Sequence, residues 1–340
     1  MRPLLIAALL MSAAPALAND TTSQLGTGGL MFVTNENVSM DSEDLSISPT
    51  KVDVVYHFTN KGDADDHVLV AFPLPDITGD GDFMVAIPNE DPDNLFGFTT
   101  TFDGKPLKSE LHQYAFAVGV DQTELLKSLN VPLAPFGEAT ISALNALSDE
   151  DHQKLLHLGM VIPMTYDNGD GEKTDYTPIW TLKSTYTWEA DFPAGKTVEV
   201  KHSYTPSVGG TVATTFLQPP ADATDEDRPK IYKDKYCVDD DLIKSVKKSL
   251  KDPSDLHSAP YYEQWISYIW STGANWSGPI GKFHLTIDKR DAKDLVSFCW
   301  DGKVQKTGPT TFEMTADDWV PPDHELEILL LKHQDADLAR

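Results

Sequence analysis

WISYIWSTGANWSGPIGKFHLTIDK, residues Trp265 to Lys289, holds three of the chain's seven tryptophans and its sharpest change of pattern. It opens as an apolar run and passes through Ser271-Thr272-Gly273. It breaks at Ser277-Gly278-Pro279, then resumes with Phe283, Leu285 and Ile287 apolar and His284, Thr286 and Asp288 polar. That alternation is the mark of a half-buried strand, and the glycines with Pro279 mark a tight connection. The stretch predicts two strands joined by a tryptophan-bearing loop at the centre of a C-terminal β domain. Trp276 sits among turn residues. It either folds back over the core or stands out as a stacking surface for a ligand. We expect the inward position, because Trp265 and Trp270 nearby imply a packed aromatic cluster. Trp276, Asn275 and Trp270 are the residues this loop offers for binding.

The same alternation recurs outward from this stretch. Val52, Val54, Tyr56 and Phe58 share one parity, and Val68, Val70, Phe72 and Leu74 another. The turn Asn60-Lys61-Gly62-Asp63 between them predicts an antiparallel pair, which would bring His57 and His67 near each other. Pro178 to Trp188, Val198 to Tyr204 and Thr211 to Leu217 read as further strands. His202 shares the parity of apolar neighbours and reads as an inward histidine with a partner. Val38 to Ile47 is acidic, with scattered apolar positions and no clear period.

Between the strands, residues 121–158 turn helical. Asp121 with Glu124 has the form of a capping box, a second helix follows from Glu138 to Leu147, and Ser148 caps a third. His152 and His157 are five apart, about 140° around a helix, so they do not form a zinc pair and read as surface residues. Residues 218–228 are proline-rich and acidic and serve as the linker. Asp239 to Asp241 followed by Lys244, Lys247 and Lys248 order charge as a helix dipole prefers. The fold class is mainly β. The sequence predicts two β-sandwich-like antiparallel domains, with a short helical insertion in the first and one helix early in the second. The N-terminal β domain spans 19–217 and the C-terminal one 229–340.

The chain begins with Arg2, an apolar run from Leu4 to Ala13, and Ala16-Leu17-Ala18. This is the form of a secretory signal peptide, residues 1–18, cleaved to leave Asn19 first. No run reaches the roughly twenty apolar residues of a transmembrane helix. Export predicts a periplasmic or secreted location, and two cysteines in an exported chain predict a single disulfide, Cys237 to Cys299. The formal charge is −26, and −27 once Arg2 is removed. Such a balance argues against nucleic acid and anionic membrane as partners.

Catalytic and metal signatures are incomplete. Asp76, Thr78, Asp80, Gly81 and Asp82 follow the start of an EF-hand, but its twelfth position is Ile87 instead of a glutamate. Asp167 to Glu172 is likewise partial. The sequence has no G-x-S-x-G elbow and no zinc spacing, so it implies no metal and no cofactor. Carboxylates are too plentiful for any pair to be chosen.

Three segments carry a resemblance: SPTKVDVVYHFTNKGDADDHVLVAFPLPDI, FPAGKTVEVKHSYTPSVGG and STGANWSGPIGKFHLTIDK. They resemble the recurring blocks of the bacterial domain of unknown function 4424 family, over nearly the whole chain after the leader. The resemblance implies an exported protein and carries no activity onto any residue. The leading expectation is a non-enzymatic periplasmic binding or envelope-associated protein, with an envelope protein or a glycan as partner and its oligomeric state open. One alternative is a carbohydrate-active or other hydrolase with dispersed carboxylates, supported by the aromatic residues Trp180, Trp188, Trp265, Trp270 and Trp276. The other is a calcium-stabilised structural module.

Overall fold

The computed structural model describes residues 19–26, 29–79, 84–86, 94–167, 169, 171–212, 214–221 and 226–334. The expected leader, residues 1–18, lies outside the described residues.

The clearest period-two segments become strands of one wide sheet. Its order is Gln305–Lys306, Thr311–Trp319, Ile280–Asp288, Val38–Ser48, Lys51–Asn60, Thr197–Tyr204, Thr99–Phe102 and Lys105–Leu107. Neighbours are antiparallel except Ile280–Asp288 beside Val38–Ser48, a parallel pair with Leu285 opposite Leu45. One face of this sheet is apolar and buried, with Leu45, Val54, Phe58, Val198, Leu285 and Met314 on it.

Two smaller sheets bury that face. The first cover sheet is built on Thr181–Phe192, flanked by Glu110–Ala117 and Asp66–Pro73, with Thr21–Gly26 and Gly29–Val33 beyond. The second runs Leu295–Phe298, Leu326–His333, Tyr261–Tyr268, Val208–Thr211 and Met84–Ala86. The chain is thus mainly β, two β-sandwich-like units with helical insertions, and both units stand on the shared sheet. The shared sheet and the second cover sheet each take strands from both sides of residues 218–228. The three sheets meet at aromatic rings. The hydroxyls of Tyr56 and Tyr268 are 3.2 Å apart, and the rings of Phe72 and Tyr268 are 6.5 Å apart.

The expected pairing of Val52–Phe58 with His67–Leu74 does not form. Lys51–Asn60 lies in the shared sheet between Val38–Ser48 and Thr197–Tyr204, while Asp66–Pro73 pairs with Thr181–Phe192 in the first cover sheet. The turn carries the chain across the sandwich, so the two apolar faces oppose each other instead of sharing a ladder. Buried Asn60 fixes the crossing: its Nδ2 donates to Ala64 O at 2.9 Å and to Phe192 O at 2.7 Å. His57 and His67 are therefore on different sheets. His57 contacts Ser42, and His67 sits between Glu189 and Asp191.

Val38–Ser48 is a core strand that the period rule misses. A bulge between Met40 and Ser42 shifts the register. Val38 and Met40 before it, and Leu45 and Ile47 after it, then face inward together although their parities differ. The shift also turns Glu43 inward, where it is 1% exposed.

The helical insertion forms as α1 (Thr123–Ser128), α2 (Glu138–Asn145) and α3 (Asp149–His157). Ser148 caps α3 by accepting from Asp151 N at 3.2 Å. The three helices pack Leu126, Leu144 and Leu155 with Trp180 and Val161. His152 is not a surface residue. It is buried, its Nε2 lies 2.8 Å from Leu144 O, and its ring stacks on Tyr176 at 3.8 Å. Tyr176 belongs to a hairpin, Val161–Asp167 with Glu172–Pro178. The second unit opens with two helices, α4 (Arg228–Tyr236) and α5 (Asp240–Lys248). Residues 214–217 form a turn in place of the expected strand from Thr211 to Leu217.

Candidate functional site

The loop quoted first is a short 3-10 turn, Ser271–Asn275, with Trp276 at its end. Trp276 is 1% exposed and Trp270 is 3% exposed. Trp276 packs against Phe58 at 4.5 Å and Phe192 at 5.9 Å, and its Nε1 donates to Asp20 O at 2.5 Å. Trp270 donates to His324 O at 2.7 Å. Asn275 is half-buried, donates to Thr21 Oγ1 at 2.9 Å and accepts from Asn35 N at 2.8 Å. Both rings are used inside the protein. Trp180 and Trp188 are also buried, so Trp265, Trp300 and Trp319 are the tryptophans with partial exposure.

Under the loop lies a buried polar cluster. Asn19 and Asp20 are 0% exposed. Asn19 Nδ2 donates to Glu43 Oε2 at 2.9 Å, its Oδ1 accepts from the Tyr56 hydroxyl, and its backbone carbonyl accepts from Thr272 Oγ1 at 2.6 Å. Asp20 Oδ1 lies 2.9 Å from His202 Nε2, and the other His202 nitrogen meets Thr100 Oγ1. His202 is thus an inward histidine with two partners. Gly273 permits the close approach: a Cβ there would stand 2.8 Å from Asn19 Nδ2. Burial pushes the Glu43 carboxyl up to about 8, helped by the negative charge of Asp20 and opposed by the Asn19 bond. Nothing in this cluster reaches solvent, so it organises the core and is not open to a ligand.

Solvent reaches the aromatic residues on the other side of the second cover sheet. Helix α4 starts where Asp227 accepts from Lys230 N at 3.1 Å, with Pro229 in its first turn. It packs on Leu326–His333 and Leu295–Phe298 and ends at Cys237, bonded to Cys299 with Cα atoms 5.1 Å apart. Between helix and sheet is a groove of about 280 Å³. Trp265, Tyr232, Tyr236 and Ile231 supply its apolar walls, Arg228 and Lys235 its cations, and Glu226 an acid. Trp265 spreads over Gly209, where a Cβ would fall 1.9 Å from its Nε1, so any side chain there would displace the indole.

The groove is held from beneath by Glu263, which is 0% exposed and fully engaged. Its carboxylate accepts from Tyr232 OH at 2.6 Å, Thr215 Oγ1 at 2.9 Å and Phe216 N at 3.1 Å. Burial, then the charge of Glu263, push the Tyr232 hydroxyl up, so it stays a neutral donor. Lys235 Nζ pairs with Glu327 at 3.2 Å and lies 5.4 Å from the Tyr236 ring centre. Glu325, two residues before Glu327, is pushed up to about 7 by burial and then by Glu327 and Asp76, against the pull of Lys235 and Lys183.

The calcium-like loops lie partly outside the described residues. Asp76, at the start of one, is paired with Lys183. Among the described residues, no group of three or more histidine, cysteine or acidic side chains is arranged to hold a metal ion. Among them also, no helix is long and apolar enough to cross a membrane.

A crystal structure of a Legionella pneumophila protein, provisionally named a nutrient-binding protein, is similar to this chain at 13% identity and a TM-score of 0.44. The likeness covers 92% of this chain and 70% of that one. No curated protein matches the chain. The model of the family described as Domain of unknown function (DUF4424) matches residues 18–329, across both sandwich units and the groove between α4 and the sheet, and the chain belongs to that family.

Proposed function

We propose that this is an exported, non-enzymatic binding protein of the bacterial envelope, cleaved after Ala18, whose ligand lies on Trp265 in the groove under α4. The groove carries this reading. It gathers three aromatic side chains and two cations on the surface of a chain whose net charge is −26. A partly exposed indole beside Arg228, Lys235 and Glu226 suits an envelope glycan, whose C–H face packs on the accessible part of the ring while its hydroxyls and acidic groups meet the polar rim. The walls come from a disulfide-anchored helix and a central strand, so the surface is pre-formed.

Calorimetry against a panel of neutral and acidic envelope oligosaccharides tests this. Trp265→Ala should weaken the best binder at least tenfold, about 1.4 kcal/mol, without lowering the melting temperature by more than a few degrees. Equal affinity in wild type and variant would refute the site.

The hydrolase reading has one specific observation in its favour, Glu325 raised to about 7 beside Glu327. A carboxyl that keeps part of its proton near neutral pH is what general-acid chemistry uses. That reading requires turnover of nitrophenyl glycosides that falls as pH rises through about 7 and is lost in Glu325→Gln. Absence of turnover in the wild type would leave binding alone.

A further inference from the structure

Asn19 is the first residue after the leader, and first residues of mature chains are ordinarily at the surface. Here Asn19 and Asp20 are sealed in the centre of the molecule by six side chains from four segments: Glu43, Tyr56, His202, Tyr268, Thr272 and Trp276. Among the described residues, the cluster holds two carboxylate oxygens with no hydrogen-bond partner, Asp20 Oδ2 and Glu43 Oε1. Buried acceptors of this kind are exceptions that call for a missing donor, and for two carboxylates the donor that suits is a cation. Asp20 has His202. Glu43 has only neutral partners, the amide of Asn19 and the Tyr268 hydroxyl.

We propose that hydrolysis of the Ala18–Asn19 bond creates that cation: the new α-ammonium of Asn19 stays in the cluster as counter-ion to Glu43 and Asp20, so that removal of the leader completes the core. Water supplies a hydroxyl to the Ala18 carbonyl carbon as the C–N bond breaks. The freed nitrogen gains protons to become an ammonium. One amide N–H becomes three charged donors on the residue whose side chain already meets Glu43 and the Tyr56 hydroxyl. The proposal rests on the export reading given above.

The charge balance gives a pH signature. The titratable groups facing Glu43 are Asp20 on the N-terminal segment, Tyr56 on the shared sheet and Tyr268 on the second cover sheet; His202 pairs with Asp20, and Tyr204 acts on Tyr268. Burial pushes all three tyrosines up, so they remain neutral. With an amide at Asn19, Glu43 sits at about 8, above its ordinary 4.5. A raised carboxyl contributes stability that is full below about 4.5 and lost as pH rises through about 8. An ammonium beside it removes that loss, because the ionised form is then paired.

The test compares the exported chain with a variant carrying Gly-Ser between Ala18 and Asn19, which cleavage leaves as a two-residue extension. Intact mass first establishes where each chain begins. A native chain that retains Met1 to Ala18 overturns the export reading and this proposal with it. Given a chain beginning at Asn19, its α-amine should react with an acetylating ester at least 100-fold more slowly in the folded than in the unfolded protein. The extended chain should melt several degrees lower at pH 8, and the gap should narrow towards pH 5. Glu43→Gln should abolish most of the gap. An Asn19 amine that reacts at the rate of a surface amine, or equal melting of the two chains at pH 8, would overturn the pairing while leaving export intact. If the extended chain does not fold, the amine reactivity of the native chain decides alone.

Discussion

Trp276→Ala should cost about 3–5 kcal/mol of folding stability, the range for truncating a large core aromatic. The ring is 1% exposed and wedged between Phe58 of the shared sheet and Phe192 of the first cover sheet. Its removal opens a cavity where the two sheets meet and leaves Asp20 O without its donor at 2.5 Å. Both penalties act at one place, so Trp276→Phe should recover most of the packing and little of the hydrogen bond. We expect that variant to lose about 1–2 kcal/mol. The denaturation midpoint of each variant measures this. An alanine variant as stable as wild type would contradict the position of the ring and reopen the loop as a ligand surface.

Removing the Cys237–Cys299 bond should cost a similar amount, about 4 kcal/mol from loop closure alone. The bond spans 62 residues of sequence and ties the end of α4 to the chain just after the edge strand Leu295–Phe298. Few other ties hold this end of the helix: Ser297 Oγ donates to Tyr236 O at 2.9 Å and Lys235 pairs with Glu327. The double variant Cys237→Ser/Cys299→Ser should therefore melt lower and also loosen the groove wall formed by Tyr232 and Tyr236. Ligand affinity should fall with stability, whereas Trp265→Ala lowers affinity alone. Recovery of two alkylated cysteine peptides from undenatured exported protein would contradict the bridge.

Much of the sheet was legible because its strands alternate cleanly. Lys51–Asn60, Thr197–Tyr204 and Ile280–Asp288 each place apolar residues on one parity, and all three lie side by side or one strand apart in the shared sheet. Val38–Ser48 was not legible, because its bulge changes the inward parity in mid-strand. Which strands pair was less legible still. Alternation reports that a face is buried, not what covers it, and this is why Asp66–Pro73 was placed beside the strand it faces across the core. The buried cluster was hidden for a related reason. Asn19 and Asp20 are polar residues with no apolar pattern around them, and only the assembled sheets bring Glu43, Tyr56 and Tyr268 to them. The groove had a readable half. Asp227 followed by Pro229 is a helix start, and Tyr232 and Tyr236, four apart, fall on one side of that helix. The other half, Trp265 lying on Gly209, joins residues 56 positions apart and needed the fold. The tryptophan-rich stretch thus contains both ends of the account, with Trp276 closing the core and Trp265 facing the groove.

Hydroxyl-radical footprinting of the seven tryptophans, with and without a bound envelope oligosaccharide, tests the central claim most directly. In the free protein Trp265, Trp300 and Trp319 should be oxidised, while Trp180, Trp188, Trp270 and Trp276 stay protected. On ligand addition Trp265 should become protected, with Trp300 and Trp319 unchanged as internal controls. Oxidation of Trp276 in the native protein, or a bound ligand that leaves Trp265 as reactive as before, would contradict it.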